Sequence, residues 1–118
     1  MLLVGFGLDD TIENVKKMAL KVANLRIFPD SDDKLNLSIK DVGGKVLSIS
    51  QFTLYADSRK GNRPSFCNAL KDGAKELYLK FNEILRNEYN LIVEEGIFGA
   101  DMNVTFTNVG PTTILLEF

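Results

Sequence analysis

Two stretches of this chain repeat apolar residues with helical spacing, and short β-type runs fill most of the remainder. The first stretch runs from about Thr11 to Arg26, and its apolar face carries Ile12, Val15, Ala19 and Val22. The second runs from about Asp72 to Glu88 and repeats Leu77, Tyr78, Phe81, Ile84 and Leu85. Because each helix has one apolar face, each must be buried against another element. The pattern therefore predicts two helices that cover a sheet.

The β-type runs are unevenly distributed and crowd toward the C-terminus. Strands are predicted before the second helix over residues 2–7, 35–39 and 45–54, and a β-rich tail follows it over 91–99, 102–107 and 114–118. Strands grouped in this way, rather than in strict alternation with helices, are typical of α+β proteins. We therefore expect an α+β fold with both helices on one side of a mainly antiparallel sheet.

Length and charge limit what the chain can be. At 118 residues with 45% hydrophobic residues, the sequence fits one domain over residues 1–118. Its formal charge of -2 provides no chain-wide basic field, so no DNA partner is expected and any contact with nucleic acid has to be local. The apolar N-terminal run of residues 1–6 is too short for a membrane segment, and acidic residues follow it. We expect a soluble protein with no membrane partner.

The absence of histidine excludes more kinds of active site and metal site than any other feature of the composition. Ser-His-Asp and Cys-His arrangements are impossible, and the usual zinc sites are excluded with them. No spaced Asp/Glu cluster suggests another metal site, so neither a metal nor a cofactor is expected. An enzyme built from this chain has to use backbone groups, hydroxyls, amides, water or the substrate itself. The single Cys67 excludes an intramolecular disulfide and favours a reducing compartment, the cytoplasm.

Two polar stretches are candidates for a binding or catalytic site. Ser50-Gln51-Phe52-Thr53 ends a β-type run, where it either emerges into solvent or places a hydroxyl and an amide at the mouth of a pocket. The cations Arg59, Lys60 and Arg63 surround Gly61, and they form either a solvated loop or a small phosphate-binding point.

Two glycine-containing stretches are also open to two interpretations. Gly96 to Met102 is either a kinked strand with Phe98 in the core or a pocket whose floor is made by Gly99 and Ala100. The Gly110-Pro111 pair interrupts two apolar runs, either as a hairpin turn or as a backbone segment presented to a ligand.

Taken together and in this order, the stretches SQFTLYADSRKGNRPSF, GIFGADM and NVGPTT resemble D-aminoacyl-tRNA deacylases of the bacterial and eukaryotic type. The stretches DDTIENVKKMALKVANLRIFPD and LNLSIKDVGGKVLSISQFTL resemble the first helix and central strands of that family, so the likeness covers essentially the whole chain. It implies a homodimer with a β-roll or barrel-like sheet. It also implies hydrolysis of the ester between a D-amino acid and tRNA, and of glycine mischarged on alanine tRNA, as proofreading in translation.

The resemblance assigns roles to residues of this sequence. It implies a catalytic pocket lined by Ser50, Gln51, Phe52 and Thr53, with assistance from the 2′-hydroxyl of the terminal ribose. Gly110 and Pro111, joined by a cis peptide bond, would reach into the pocket of the other subunit and exclude L-amino acids by shape. Binding of the adenosine and the tRNA is implied for Phe98, Gly99, Ala100, Met102, Arg59, Lys60 and Arg63.

The chain departs from the family pattern in two places. Family members usually begin with an additional pair of strands before the stretch that corresponds to residues 2–5, and Thr112 stands where valine is common. A sheet without that pair loses part of the dimer surface. One alternative is therefore a dimerisation or binding module of the same fold with impaired catalysis. A general esterase is another alternative, and the cations at Arg59, Lys60 and Arg63 argue against it.

Overall fold

A computed structural model describes all residues from Met1 to Phe118. The α-helices are α1 (Ile12–Asn24) and α2 (Ala74–Asn87), and a 3-10 helix spans Phe52–Tyr55. The strands are β1 (Leu2–Val4), β2 (Phe28–Pro29), β3 (Leu35–Leu37), β4 (Lys45–Ser50) and β5 (Ile92–Glu95). Both helices lie within their predicted ranges, which confirms that part of the prediction. Neither α-helix combines the length and the apolar character that a membrane crossing requires.

The main sheet has the strand order β1-β4-β5 and is parallel throughout. The expectation of a mainly antiparallel sheet is therefore wrong, since antiparallel strand pairing is confined to the short β2-β3 pair. The chain passes through α1 between β1 and β4, and through α2 between β4 and β5. A helical crossover returns the chain to the end of the sheet at which it started, so the next strand runs parallel.

The core lies where the two α-helices pack on each other and α2 packs on the sheet. Ala19 and Ala23 of α1 are fully buried, and such small side chains allow a neighbouring element to approach closely. The largest buried side chains of α2 are Tyr78, Phe81, Ile84 and Leu85. They share the core with the sheet residues Val46 and Val93.

One carbonyl group of the central strand anchors both α2 and the end of β5. The buried Tyr78 hydroxyl donates a hydrogen bond of 2.7 Å to the Ser48 carbonyl oxygen. The backbone N–H of Gly96 donates to the same oxygen at 3.2 Å. These bonds fix the segment after β5 relative to β4, and both segments contribute to the candidate site described below.

The predicted strands in the C-terminal tail, residues 96–118, are absent. Residues 97–100 form a turn closed by the Ala100 N–H and the Ile97 carbonyl, and no backbone–backbone hydrogen bond involves any residue after Ala100. Alternation of apolar and polar residues marks a segment able to pair, but a strand forms only against a partner edge. Without one, the tail leaves large apolar side chains exposed, among them Val104, Phe106, Val109, Ile114 and Leu115.

Two predicted strands end earlier than their β-type runs. Strand β1 ends at Val4 rather than Gly7, and β4 ends at Ser50 rather than Leu54. At Gly5 the segments that follow β1 and β4 approach closely, because a Cβ atom there would lie 2.8 Å from the Gln51 carbonyl oxygen. A 2.7 Å hydrogen bond from the Gln51 N–H to the Val4 carbonyl oxygen lies at the end of the β1–β4 pairing. The chain then turns into the 3-10 helix.

Candidate active site

The carboxyl ends of the three parallel strands gather three glycine-rich or polar segments. Residues 5–7 follow β1, residues 51–55 follow β4, and residues 96–102 follow β5. Ligands of parallel sheets commonly bind outside this edge, because the loops there converge. The last two segments hold the predicted pocket and adenosine-binding residues, so the parallel order of the sheet places them at one edge.

The residues at the end of β4 present side-chain and backbone hydrogen-bonding groups. Ser50 is half-buried, whereas Phe52 and Thr53 are exposed. The Gln51 side-chain amide donates to the Thr53 hydroxyl at 2.5 Å, which orients both groups. The Gln51 backbone N–H is already bound to the Val4 carbonyl, but the N–H groups of Phe52 and Thr53 have no backbone partner. These two N–H groups are free to bind an oxygen atom.

Tyr55 fixes the 3-10 helix to the segment that follows β1. Its ring lies against Gly7, where a Cβ atom would come within 2.7 Å of the ring atom Cε1. Its hydroxyl lies 3.5 Å from Oδ2 of Asp10, and that oxygen accepts a 2.7 Å hydrogen bond from the Gly7 N–H. Only a residue without a side chain fits at position 7 in this arrangement.

Burial raises the pKa of Tyr55, and the negative charges of Asp10 and Glu117 raise it further. The neutral phenol is therefore favoured in the folded state. Its contribution to stability is present below the ordinary tyrosine pKa of about 10 and is lost as the pH rises through the higher folded value. We expect the difference between ultraviolet titrations of the parent chain and Tyr55→Phe to have a midpoint above pH ~10. A midpoint at or below that pH would contradict this environment.

The segment after β5 combines core packing with an exposed turn. Met102 covers Gly96, since a Cβ atom on that glycine would lie 2.6 Å from the Met102 sulfur. The half-buried ring of Phe98 packs against Tyr78 with 5.9 Å between ring centroids. Gly99 and Ala100 are exposed, and Gly99 has a positive φ of 78°. Phe98 thus contacts the core, while the two small residues face solvent.

The predicted phosphate-binding cations line a polar recess of about 570 Å³. Its five lining residues are Asp57, Arg59, Lys60, Arg63 and Ser65. Backbone hydrogen bonds of 2.7 and 2.9 Å between Asp57 and Ser65 close the loop. Next to it, Phe66 meets Phe52 edge-on at 5.1 Å, which connects the loop to the 3-10 helix.

The Gly110-Pro111 turn is exposed, and its peptide bond is cis, as the resemblance implies. The Asn108 side chain holds the turn by accepting from the Thr112 N–H at 3.2 Å and donating to the Thr113 hydroxyl at 3.0 Å. No hydrogen bond connects this turn to residues 50–53. Within one chain, the turn and the polar end of β4 are therefore not connected by hydrogen bonds.

Sequence reasoning missed two acidic side chains that organise the site. The first is Asp10, whose carboxylate accepts a hydrogen bond from the Gly7 N–H and lies beside the Tyr55 hydroxyl. The second is Asp57, which forms an ion pair with Arg59. The sequence signal for the Asp57–Arg59 pair is an acidic residue two positions before an arginine. No group of three His, Cys, Asp or Glu side chains in the chain is arranged to hold a metal ion.

These features define an α+β protein with a polar site at the edge of a parallel sheet and a cationic recess beside it. The model of one family, described as D-Tyr-tRNA(Tyr) deacylase, matches residues 1–117. The chain belongs to this family.

Two relatives show how close the relationship is. The chain is 55% identical over 116 residues to a D-aminoacyl-tRNA deacylase of Clostridium novyi (strain NT), and the match covers 98% of this chain and 77% of that protein. It is 52% identical over 118 residues to a protein of Bacillus subtilis (strain 168) named inactive D-aminoacyl-tRNA deacylase, covering 99% of this chain and 89% of that protein.

Two solved structures share the fold. The structure of the c-Myc DNA unwinding element binding protein matches with a TM-score of 0.90 and 40% identity, over 98% of this chain and 78% of that chain. That of a probable eukaryotic D-amino acid tRNA deacylase matches with a TM-score of 0.67 over 82% of this chain and 73% of that chain. At 18% identity, the second likeness concerns the fold alone.

Proposed function

We propose that residues 1–118 act as one domain in the cytoplasm that hydrolyses the ester between a D-amino acid and the terminal adenosine of tRNA. The observation that carries this proposal is the convergence of residues 51–55 and 96–102 at one edge of the sheet, with a cationic recess beside the first of them. Membership of a deacylase family supports the same reaction. Removing mischarged D-amino acids from tRNA is chiral proofreading in translation.

The proposed chemistry uses backbone donors and no histidine. Water attacks the ester carbonyl carbon, the bond to the ribose oxygen breaks, and that oxygen takes up a proton with assistance from the neighbouring ribose hydroxyl. The unpaired N–H groups of Phe52 and Thr53 stabilise the negative charge that develops on the carbonyl oxygen. Loss of one such donor typically lowers the rate by about 10²–10³-fold. The Gln51–Thr53 pair and Ser50 orient the ester.

The tRNA end is held on both sides of the strand end. On one side, Phe98, Gly99, Ala100 and Met102 receive the terminal adenosine. On the other side, Arg59, Lys60 and Arg63 receive backbone phosphates in the polar recess. Arginine binds phosphate through two parallel N–H donors, and lysine adds a point charge.

Selection of D-amino acids is assigned to Gly110 and Pro111 of a second copy of the chain. Both residues are exposed and make no hydrogen bond to the strand end of their own chain, so they are free to enter another copy. The exposed apolar side chains of the tail support a homodimer, because such patches mark interaction sites. A rigid backbone opposite the α-carbon excludes an L-side chain by collision and leaves room for glycine.

A second candidate function is a dimerisation or binding module with impaired catalysis. One observation favours it: a relative with 52% identity over 118 residues carries a name that calls it inactive. Both candidates share the fold and the dimer, and they differ only in turnover.

Hydrolysis of charged tRNA by the purified chain separates the two candidates. We expect release of D-tyrosine from D-tyrosyl-tRNA and of glycine from glycyl-tRNA(Ala), with L-tyrosyl-tRNA left intact. No release by a folded dimer would contradict the proposed function and favour the module. Turnover of simple esters in the absence of tRNA, at a rate that tRNA does not improve, would indicate a general esterase.

A further inference from the structure

Asp57 binds Arg59 through three hydrogen bonds. Its carboxylate accepts from the Arg59 backbone N–H at 3.1 Å, from Nε at 2.9 Å and from Nη2 at 2.6 Å. The Asp57 backbone is itself fixed by its two hydrogen bonds to Ser65. A side chain that is 87% exposed is therefore held in one orientation at the wall of the recess.

The hydrogen bonds to Asp57 leave part of the Arg59 guanidinium group free. Of the five N–H donors of an arginine side chain, the carboxylate occupies one on Nε and one on Nη2. The two N–H groups of Nη1 have no partner, so the Nη1–Nη2 face can still bind an anion bidentately. Lys60 and Arg63 line the same recess and form no ion pair.

We propose that Asp57 is a positioning residue for an RNA phosphate: it turns the free face of Arg59 into the recess, where the phosphate lies between Arg59, Lys60 and Arg63. This inference rests on the proposed function, because it takes the recess to be where the tRNA backbone binds. With three cations and one carboxylate, the recess keeps a net positive charge.

Asp57 and Arg59 both stay charged at the near-neutral pH at which the protein would meet RNA. The hydrogen bonds with Arg59 lower the pKa of Asp57 to about 2. The carboxylate stays ionised above the ordinary aspartate value, and the pair is lost only as the pH falls through about 2. The orientation of Arg59 is thus independent of pH near neutrality.

If Asp57 positions Arg59, Asp57→Asn changes the affinity for RNA in one direction, and if Asp57 only competes with phosphate, the affinity changes in the opposite direction. If Asp57 only competed with phosphate for Arg59, removal of its negative charge would strengthen RNA binding. If Asp57 positions Arg59, the same change weakens binding although the net charge becomes more positive. Because immobilising one long side chain on binding has an entropic cost, we expect weakening by about 2–10-fold.

The experiment measures the affinity of uncharged tRNA at constant ionic strength for the parent chain and four variants. Asp57→Asn should weaken binding, whereas Asp32→Asn, the same charge change in the exposed β2–β3 loop, should not. In an Arg59→Gln background, Asp57→Asn should no longer weaken binding, since the group that it positions is gone. Thermal unfolding checks that each variant is folded.

Equal or tighter binding by folded Asp57→Asn would overturn the inference, as would the same weakening in the Arg59→Gln background or the absence of tRNA binding by the parent chain. These readouts involve no ester hydrolysis. A chain that binds as expected but releases no D-amino acid would contradict the proposed function and leave the role of Asp57 standing.

Discussion

Replacing Gly110 with alanine should lower the hydrolysis of D-aminoacyl-tRNA by about 100-fold while lowering the free energy of unfolding by only about 1 kcal/mol. Gly110 has a φ of 122°, which L-residues rarely adopt, and an added Cβ would lie 3.0 Å from the Thr112 hydroxyl oxygen. The turn must therefore shift by a few tenths of an ångström. Because the turn is exposed, it can move without disturbing the core. If this backbone selects substrates by shape, as proposed, a small displacement is enough for a large loss of rate.

Gly43→Ala is the matched control for this variant. Gly43 also has a positive φ, 64°, and an added Cβ there would have no atom within 4 Å. We expect some backbone strain from the positive φ at this position too, but nearly full activity. Equal losses of activity and stability in Gly110→Ala would mean that the pair is only a structural turn, and full activity would remove Gly110 from the site. Rates on D-tyrosyl-tRNA, with urea unfolding of both variants, provide the comparison.

Phe81→Ala should lower the free energy of unfolding by about 3–5 kcal/mol. Phe81 is 2% exposed and lies in the core cluster together with Tyr78 and Leu85 of the same helix. The lost ring removes buried apolar area and leaves a cavity that the close-packed neighbours fill only in part. Since domains of this size are stable by only about 5–15 kcal/mol, the variant should lie near the limit of folding.

Leu79→Ala on the same helix separates packing from helix propensity. Leu79 is 41% exposed, and alanine is at least as good a helix former as leucine. Its free energy of unfolding should change by less than about 1 kcal/mol. Urea unfolding monitored by circular dichroism measures both variants. A loss for Phe81→Ala no larger than for Leu79→Ala would contradict the placement of α2 in the core.

The helices could be predicted because their signals are local. Apolar spacing alone located α1 and α2, and both helices begin and end within one to two residues of their predicted bounds. The direction of the strands depends instead on where each connection crosses the sheet. Four of the predicted β-type runs contain strands, at residues 2–4, 35–37, 45–50 and 92–95, but the parallel order of the three strands in the main sheet was not predicted.

The tail shows the limit of reading strands from alternation. Residues 102–107 alternate clearly, yet they pair with nothing in this chain. Side-chain periodicity reports which face can be buried, whereas pairing requires a free edge at the right distance and register. Whether such an edge is available depends on the whole fold, and no window of sequence contains it.

The candidate site, too, could be predicted from the sequence only in part. The polar residues Ser50 to Thr53 were located from the end of a β-type run, and their catalytic roles stay predictions. The sequence could not show that the Gln51 N–H is bound to Val4, which leaves Phe52 and Thr53 as the free backbone donors. It also could not show that Asp57 holds Arg59, because that contact depends on how the loop closes onto Ser65.

The claim that Gly110 and Pro111 act in the site of a second copy is tested most directly by mixing two inactive variants. One is Gly110→Ala, and the other carries Gln51→Ala and Thr53→Ala at the strand end. If the turn acts in the neighbouring copy, each mixed dimer contains one site with an intact strand end and an intact turn. Equimolar mixing should then restore about a quarter of the parent activity on D-tyrosyl-tRNA. No recovery in mixtures that contain the mixed dimer would contradict the account.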